Sequence, residues 1–281
     1  MLGTLVLAPK TLETVWLAAE FLLHEAMHVK YLDLLHTHSL LRKGYRDSES
    51  PIINPPWHRP DPNGSRDWPV ERCMTVLHVY ATLSVFFLAI ERDADKLEPE
   101  FGPLGELNPE DSARRALDRA HFLTHVMQQE RQQAELGLAG RRLVAWLSEL
   151  INGIDPSPRP HNTETHLLLE LYEREAAELE RALASSTAAS TAANVEALVR
   201  DIVHRDVKTI NEILSVLDKE RISGSPANAS SLESWRIRLF AIQSLRSNPV
   251  EALGTTGERL VREMVRGSEQ GVGALRAELE I

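Results

Sequence analysis

Apolar and polar residues alternate along this chain with the spacing of helices rather than strands. Apolar positions recur every three to four residues, and no stretch alternates apolar and polar residues with a period of two. The pattern predicts helical segments at about 11–40, 69–95, 108–151, 163–184, 193–218, 230–245 and 257–265. The predicted fold class is therefore all-α, a multi-helix bundle.

The first and third segments carry distinct helix signals. Thr11 is the expected start of the first helix, whose apolar residues occupy nearly its whole circumference, so we expect this helix to be central and buried. Asn108 with Pro109 behind it is typical of a helix N-terminus. A bend is expected in the third segment at Gly137 or Gly140.

Proline-rich stretches divide the helical segments. Residues 41–68 form a long loop between the two predicted buried helices, and loops of that length within compact domains are usually functional. A second proline-rich stretch, 153–162, reads as a linker. The expected organisation is a helical domain at 1–152, this linker, and a helical region at 163–281 that packs on the first. The low-complexity stretch 185–191 is expected to be mobile.

Composition narrows the function classes. The chain has 281 residues and a formal net charge of −10, without the clustered Lys and Arg of a nucleic-acid-binding protein. Cys73 is its only cysteine, which excludes a thiolate zinc site and fits a reducing cytoplasm. No run of about 20 uncharged apolar residues occurs, so no membrane association is expected. The composition is compatible with a monomer or a homodimer.

The strongest chemical signal is His24-Glu25-x-x-His28. On a helix, residues four apart lie about 40° from each other around the axis, so both imidazoles can face one metal ion. Glu25 can reach a metal-bound water or support the ligands, which makes it the candidate catalytic residue. The metzincin pattern would place a further ligand at Leu34, so that subclass is excluded.

A third ligand has to come from another helix. His78 is our first candidate, because it is the only histidine on the second apolar helix. His125, which forms a helical pair with His121, is the alternative. His36 lies about 12 Å along the axis from His28, too far for comfortable co-ligation.

Residues outside this helix pair are candidates for binding organic ligands. Arg59, in the proline-rich loop, can clamp a carboxylate in bidentate fashion, as a 2-oxo acid requires. Stacking of Arg59 on Trp57 is an equally good reading. Lys30 lies on another side of the helix from His28 and is expected to make a structural or substrate contact, and Trp57 is a further substrate-binding candidate.

Several sequence blocks occur in order between about residues 15 and 150. They are His24-Glu25-x-x-His28-x-Lys30-x-x-x-Leu34-Leu35, Pro56-Trp57-His58-Arg59-Pro60-Asp61-Pro62, Tyr80-Ala81-Thr82-Leu83-Ser84-Val85 and Gly140-Arg141-Arg142-Leu143-Val144. Together they resemble the HExxH-motif peptide-modification proteins found in gene clusters for ribosomally made peptide natural products. The last 120 or so residues are not covered by the resemblance.

The resemblance implies an iron(II)- and 2-oxoglutarate-dependent oxygenase that hydroxylates the β-position of a residue in a precursor peptide, with iron held by His24 and His28. One position departs from the family pattern, since Thr82 stands where members often have histidine, and His78 lies one turn earlier. A zinc-dependent HExxH peptidase, with Glu25 as the hydrolytic base, and a non-catalytic helical protein that binds a peptide or a partner are the alternatives.

Overall fold

The computed structural model describes residues 9–58, 67–105, 107–154, 163–185, 193–224, 226–246 and 253–280. Over these ranges the chain is helical, and its only bridge pairings are the isolated ones between Leu41 and Leu136 and between Ile53 and Trp68. The α-helices are α1 (Val15–Thr37), α2 (Val70–Phe101), α3 (Pro109–Met127), α4 (Glu130–Gln133), α5 (Leu138–Ile154), α6 (Thr163–Ser185), α7 (Ala193–Val216), α8 (Ser231–Arg246) and α9 (Gly254–Glu278). The predicted all-α fold is confirmed.

The chain divides into two compact units. Unit 1 comprises residues 1–55 and 60–160, and unit 2 comprises residues 56–59 and 161–281. Helix α5 continues to Ile154, two residues into the stretch that the sequence marks as a linker. The rest of that stretch, 155–162, and most of the low-complexity stretch, 186–191, lie outside the described residues.

Helix α1 begins later than the sequence predicts. Residues Pro9–Leu12 form a short 3-10 helix, and the N-cap of α1 is Thr14 rather than Thr11. Thr14 has an extended backbone, and its hydroxyl accepts a hydrogen bond from the backbone N–H of Leu17 at 3.1 Å. This bond satisfies one of the unpaired donors at the helix start, which is why the helix begins here.

The prediction that α1 is central and buried is wrong. Trp16 and Tyr31 are its buried residues, whereas the side chains of Leu22, Val29 and Leu32 are about half exposed. Helix α2 packs against one side of α1, and apolar residues continue onto the opposite side. Apolar residues therefore occur around nearly all of α1, although not every side of the helix is buried.

Helix α2 is the central helix of unit 1 and packs against both α1 and α3. It begins after Pro69 as N-cap and runs six residues past the predicted end, to Phe101. Its backbone is distorted at Asp93, and Gly102 ends it with a φ of 89°, which a glycine adopts without strain. Helix α2 is long and apolar enough to cross a membrane, but 56% of its most apolar 18-residue stretch is buried within the protein. Core helices often have the same length and composition.

The third predicted segment is broken rather than bent. Helix α3 starts at the predicted N-cap, where the Asn108 side chain accepts from the backbone N–H of Asp111, and it ends at Met127. The short α4 follows, and α5 starts at Leu138. Gly137 donates its backbone N–H to the Leu40 carbonyl at 3.0 Å, and a Cβ on Gly140 would lie only 2.0 Å from that oxygen. The start of α5 thus lies against the backbone of residues 39–41.

The described residues of the long loop form local structure and backbone hydrogen bonds. A short 3-10 helix occupies Asp47–Glu49, and Ile53 exchanges backbone hydrogen bonds with Trp68 at 3.0 and 2.9 Å. These two bonds pair the backbone at Ile53 with the backbone just before α2.

Unit 2 is formed by α6 to α9 around its own hydrophobic core. Helix α7 packs against α8 and α9, and α6 packs against the same two helices. A fully buried ion pair joins α8 to α7, with Arg238 Nε donating to the Asp206 carboxylate at 2.7 Å, and the guanidinium stacks on Trp235. The core of unit 2 therefore includes a buried charge pair among its apolar side chains, in which Arg238 Nη1 has no hydrogen-bond partner.

Candidate metal centre

His24 and His28 lie together on the side of α1 that flanks its contact with α2. Their Nε2 atoms are 3.0 Å apart, and their ring centroids are 4.8 Å apart in an edge-to-face arrangement. Burial lowers the pKa of His24, and the neighbouring His28 lowers it further. His24 therefore favours the neutral imidazole, the form that binds metals.

The distance between the two imidazoles fits a shared metal ion. With metal–nitrogen bonds of about 2.1 Å, two nitrogens that meet one ion at a right angle lie about 3.0 Å apart, against about 3.4 Å at a tetrahedral angle. The observed 3.0 Å is close to both values, so the two imidazoles are near enough to share one ion. In the metal-free protein the same distance is a hydrogen bond from one ring to the other.

His78 lies on α2, which packs against α1, and the charges of Lys30 and His28 act on it. Its side chain is 5% exposed, and its Nδ1 atom is buried without a hydrogen-bond partner. Burial lowers the pKa of His78, and the nearby charges of Lys30 and His28 lower it further. A buried, unsatisfied imidazole nitrogen is costly, so this residue needs a further partner.

The three histidines do not yet form a complete metal site. Among the described side chains, no group of three or more His, Cys, Asp and Glu residues is arranged to hold a metal ion. His24 and His28 fit an ion as they stand, whereas His78 contributes a neighbouring imidazole. Thr82, at the position where the resembled family often has histidine, donates its hydroxyl to the His78 carbonyl at 2.9 Å.

Glu25 and Lys30 contribute charge on either side of the pair. Glu25 is half-buried, and its carboxylate favours the charged imidazole of His24, which opposes part of the lowering of that pKa. Lys30 is exposed, yet its ammonium acts on His78. Glu25 therefore places a negative group beside His24, whereas Lys30, predicted on another side of α1 from His28, acts on His78 as a positive charge.

The remaining histidine candidates lie elsewhere on the helices of unit 1. His125 is exposed in the last turn of α3. His36 is exposed at the end of α1, where its Nδ1 bonds the Leu32 carbonyl at 2.7 Å. Neither makes a described contact with His24 or His28, so His78 stays the preferred third ligand.

The structure describes only one of the two ligand-binding candidates in the proline-rich loop, Arg59 and Trp57. Arg59 lies outside the described residues. Trp57 belongs to unit 2, is 5% exposed, and accepts a hydrogen bond from Arg174 Nη2 at its backbone carbonyl at 2.8 Å. Its described role is thus an anchoring contact within unit 2.

Sequence reasoning missed the polar residues that continue the histidine face. Tyr31 is 1% exposed and follows His28 by three residues, while Thr75 precedes His78 by three residues on α2. Thr75 lies beside the Tyr31 hydroxyl, whose pKa is raised by burial. The sequence could have indicated these residues, because Tyr31 and Thr75 are polar and each lies three residues from a candidate histidine on an otherwise apolar helix.

A second layer of polar groups lies beyond Tyr31. The Tyr45 hydroxyl accepts from the Glu71 backbone N–H at 3.2 Å, and burial raises the pKa of Tyr45 to about 12. Burial, reinforced by the charge of Asp47, raises the pKa of the Glu71 carboxyl. Half-buried polar groups of α2 and the 41–50 segment therefore lie at the edge of the apolar core of α2.

Comparisons with known proteins do not extend the description. No protein-family model, curated protein or solved structure matches the chain. Function is therefore argued from the residues and their arrangement.

Proposed function

We propose that this protein is an iron(II)- and 2-oxoglutarate-dependent oxygenase that hydroxylates a side-chain carbon, at the β-position, of a ribosomally made peptide. The observation that carries the proposal is the 3.0 Å separation of the His24 and His28 Nε2 atoms on one helix face. That separation is short enough for both imidazoles to bind one ion. The sequence blocks that resemble the HExxH-motif peptide-modification proteins supply the reaction class.

His78 is the third ligand in this proposal. Its buried Nδ1 has no hydrogen-bond partner, and the charge of His28 contributes to lowering its pKa. Three protein ligands leave positions for a bidentate 2-oxo acid and for dioxygen. His78 replaces the histidine that the resembled family often has at the position of Thr82, one helical turn further on.

Iron(II), when bound with its cosubstrates, supplies an oxidant able to replace an unactivated C–H bond with C–OH. Each turnover consumes one dioxygen and one 2-oxoglutarate and yields the hydroxylated residue, succinate and carbon dioxide. One oxygen atom enters the peptide and the other enters the new carboxylate of succinate. Burial lowers the pKa of His24 and of His78 and so favours their neutral imidazoles, while the Lys30 ammonium offers a partner for a carboxylate.

Succinate formation tests the proposal without knowledge of the peptide. The full-length protein, supplied with iron(II), 2-oxoglutarate, ascorbate and oxygen, should release succinate slowly even in the absence of substrate. His24→Ala and His28→Ala should abolish this release, and His204→Ala, which changes an exposed histidine of α7, should leave it intact. Equal release by all four proteins would contradict the proposal.

A zinc peptidase is the second candidate, favoured by the Glu25 carboxylate beside His24. In that case zinc would support cleavage of peptides, Glu25→Gln would abolish cleavage, and no succinate would form. A protein that binds neither ion stoichiometrically would be the non-catalytic helical binding protein.

A further inference from the structure

The side of α1 that lies opposite its packed side is apolar and exposed. Val15, Leu22 and Val29 follow one another there at intervals of seven residues, with exposed fractions of 54%, 46% and 57%. Seven residues make nearly two full turns, so the three side chains stay within about 40° of one another around the axis. Tyr31, which is buried, lies about 180° from Leu22. A continuous exposed apolar row of this kind marks an interaction surface.

This row has the same residues in both directions from its centre. Ala18 and Ala26 lie four residues before and after Leu22, and Val15 and Val29 lie seven residues before and after it. These five residues form what we call the solvent face of α1. A two-fold antiparallel pair of such helices places Val15 against the partner's Val29, Ala18 against the partner's Ala26, and Leu22 against its own copy on the symmetry axis. The solvent face is therefore self-complementary, as a two-fold interface requires.

Charges at the two ends of the solvent face favour the antiparallel direction. Lys10 and Glu13 precede the face in the sequence, and Lys30 and Asp33 follow it. A parallel pair sets each of these charges level with its own copy, and directly opposed like charges destabilise an interface. An antiparallel pair sets two charges of each sign at both ends instead. It also brings Asp33 to the N-terminus of the partner's α1, where the helix dipole is positive.

We propose that a second copy of this chain packs on the solvent face of α1 as a two-fold antiparallel helix pair. The 23 residues of α1 span about 34 Å, and a helix is about 10–12 Å wide, which gives a footprint of about 350–400 Å² per copy. Stable complexes bury about 800 Å² per partner. The dimer is therefore weak and depends on protein concentration.

The proposed pair leaves the candidate metal centre uncovered. His24 and His28 lie at least about 120° from Leu22 around the helix axis. The inference uses neither a metal nor a substrate, so it stands apart from the proposed oxygenase function.

Sedimentation equilibrium of the full-length, metal-free protein tests the dimer. Between about 1 and 200 μM the average mass should rise from the monomer toward the dimer, as expected for a small interface. Leu22→Glu should raise the dissociation constant by at least about tenfold, because it opposes two carboxylates on the symmetry axis. Leu138→Glu is the matched control at a leucine of α5 that is 63% exposed, and it should leave the dissociation constant unchanged. A monomer throughout, or equal effects of the two variants, would overturn the inference.

Single cysteines test the antiparallel direction. Cys73, the only cysteine of the chain, is buried and leaves the surface free for this experiment. Mild oxidation should link Leu22→Cys to itself and should link Val15→Cys to Val29→Cys in a mixture of the two variants. Val29→Cys alone should stay unlinked, because its two copies lie about 21 Å apart along an antiparallel pair, whereas a disulfide spans less than about 7 Å between Cα atoms. Self-linkage of Val29→Cys without linkage in the mixture would refute the antiparallel pair.

Discussion

At the scale of single residues, burial rather than ion pairing governs the pKa of His24 and of His78. Burial is the leading cause of the lowered pKa of both His24 and His78, and neighbouring positive charge adds to it. A neutral imidazole is ready to bind a metal without first losing a proton. The same burial makes protonation of these side chains unfavourable for folding.

The pH dependence of stability should reveal this cost at His78. The unfolded histidine has a pKa of about 6.5 and the folded one a lower pKa, so the unfolded state binds more protons as the pH falls. The free energy of unfolding should therefore decrease as the pH is lowered through about 6.5 toward the folded pKa. Urea unfolding of the metal-free protein measures it.

His78→Gln removes the titrating group and should reduce the loss of stability between about pH 7.5 and pH 5.5. His204→Gln, at an exposed position of α7, is the control and should leave that loss unchanged. If His78→Gln and the unsubstituted protein lose the same stability over this range, the account of His78 as a buried, neutral imidazole is wrong.

Moving the third ligand by one turn provides a second test at this scale. His78→Ala should weaken iron(II) binding by at least about tenfold, and adding Thr82→His to that variant should recover much of it. Thr82 is half-buried on the same side of α2, so a histidine there can face the same centre. Metal titration followed by spectroscopy measures both changes.

Stoichiometric metal in the His78→Ala variant would refute His78 as a ligand and favour His125. Loss of metal without recovery by Thr82→His would leave His78 as ligand but contradict the idea that the two positions are interchangeable.

At the scale of elements, glycines decide where α5 begins. Gly137 and Gly140 bring the start of α5 against the backbone of residues 39–41, where added Cβ atoms would lie 2.2 Å from the Ser39 oxygen and 2.0 Å from the Leu40 oxygen. Because both obstacles are backbone atoms, a side chain cannot be accommodated by a change of rotamer. The contact also holds the C-terminal end of the α1 region against α5.

Gly140→Ala should therefore lower the free energy of unfolding by about 1–3 kcal/mol, the cost of overpacking a closely packed site. Gly153→Ala is the matched control in the same helix, because nothing lies within 4 Å of its added Cβ. It should raise the free energy of unfolding by about 0.5–1 kcal/mol, the usual gain from alanine in a helix. Urea unfolding of both variants measures the difference, and equal effects would contradict the close-approach explanation.

At the scale of the whole molecule, the sequence predicted helices well and their environments less well. The helical spacing of apolar residues is a local property, so α6 to α8 begin and end close to the predicted residues. The last helix is an exception, since it was predicted at 257–265 and spans Gly254–Glu278. Burial depends on which neighbours pack against a helix. Helix α1 shows this, since Leu22 and Val29 belong to an apolar pattern yet face solvent.

The same limit applies to the candidate centre. The His24 and His28 pair follows from their spacing on one helix, and the structure has their Nε2 atoms 3.0 Å apart. The position of His78 relative to this pair depends on the packing of α2 against α1. The sequence shows only that His78 is a single histidine on an apolar helix. The layer around Tyr31 and Thr75 required the same packing and was not predicted.

The most direct test of the central claim is anaerobic addition of iron(II) and then 2-oxoglutarate, followed by visible absorption spectroscopy. The account predicts a weak charge-transfer band at one iron per chain, which is lost in His28→Ala and kept in His204→Ala. No band from the unsubstituted protein, together with zinc-supported peptide cleavage, would contradict it.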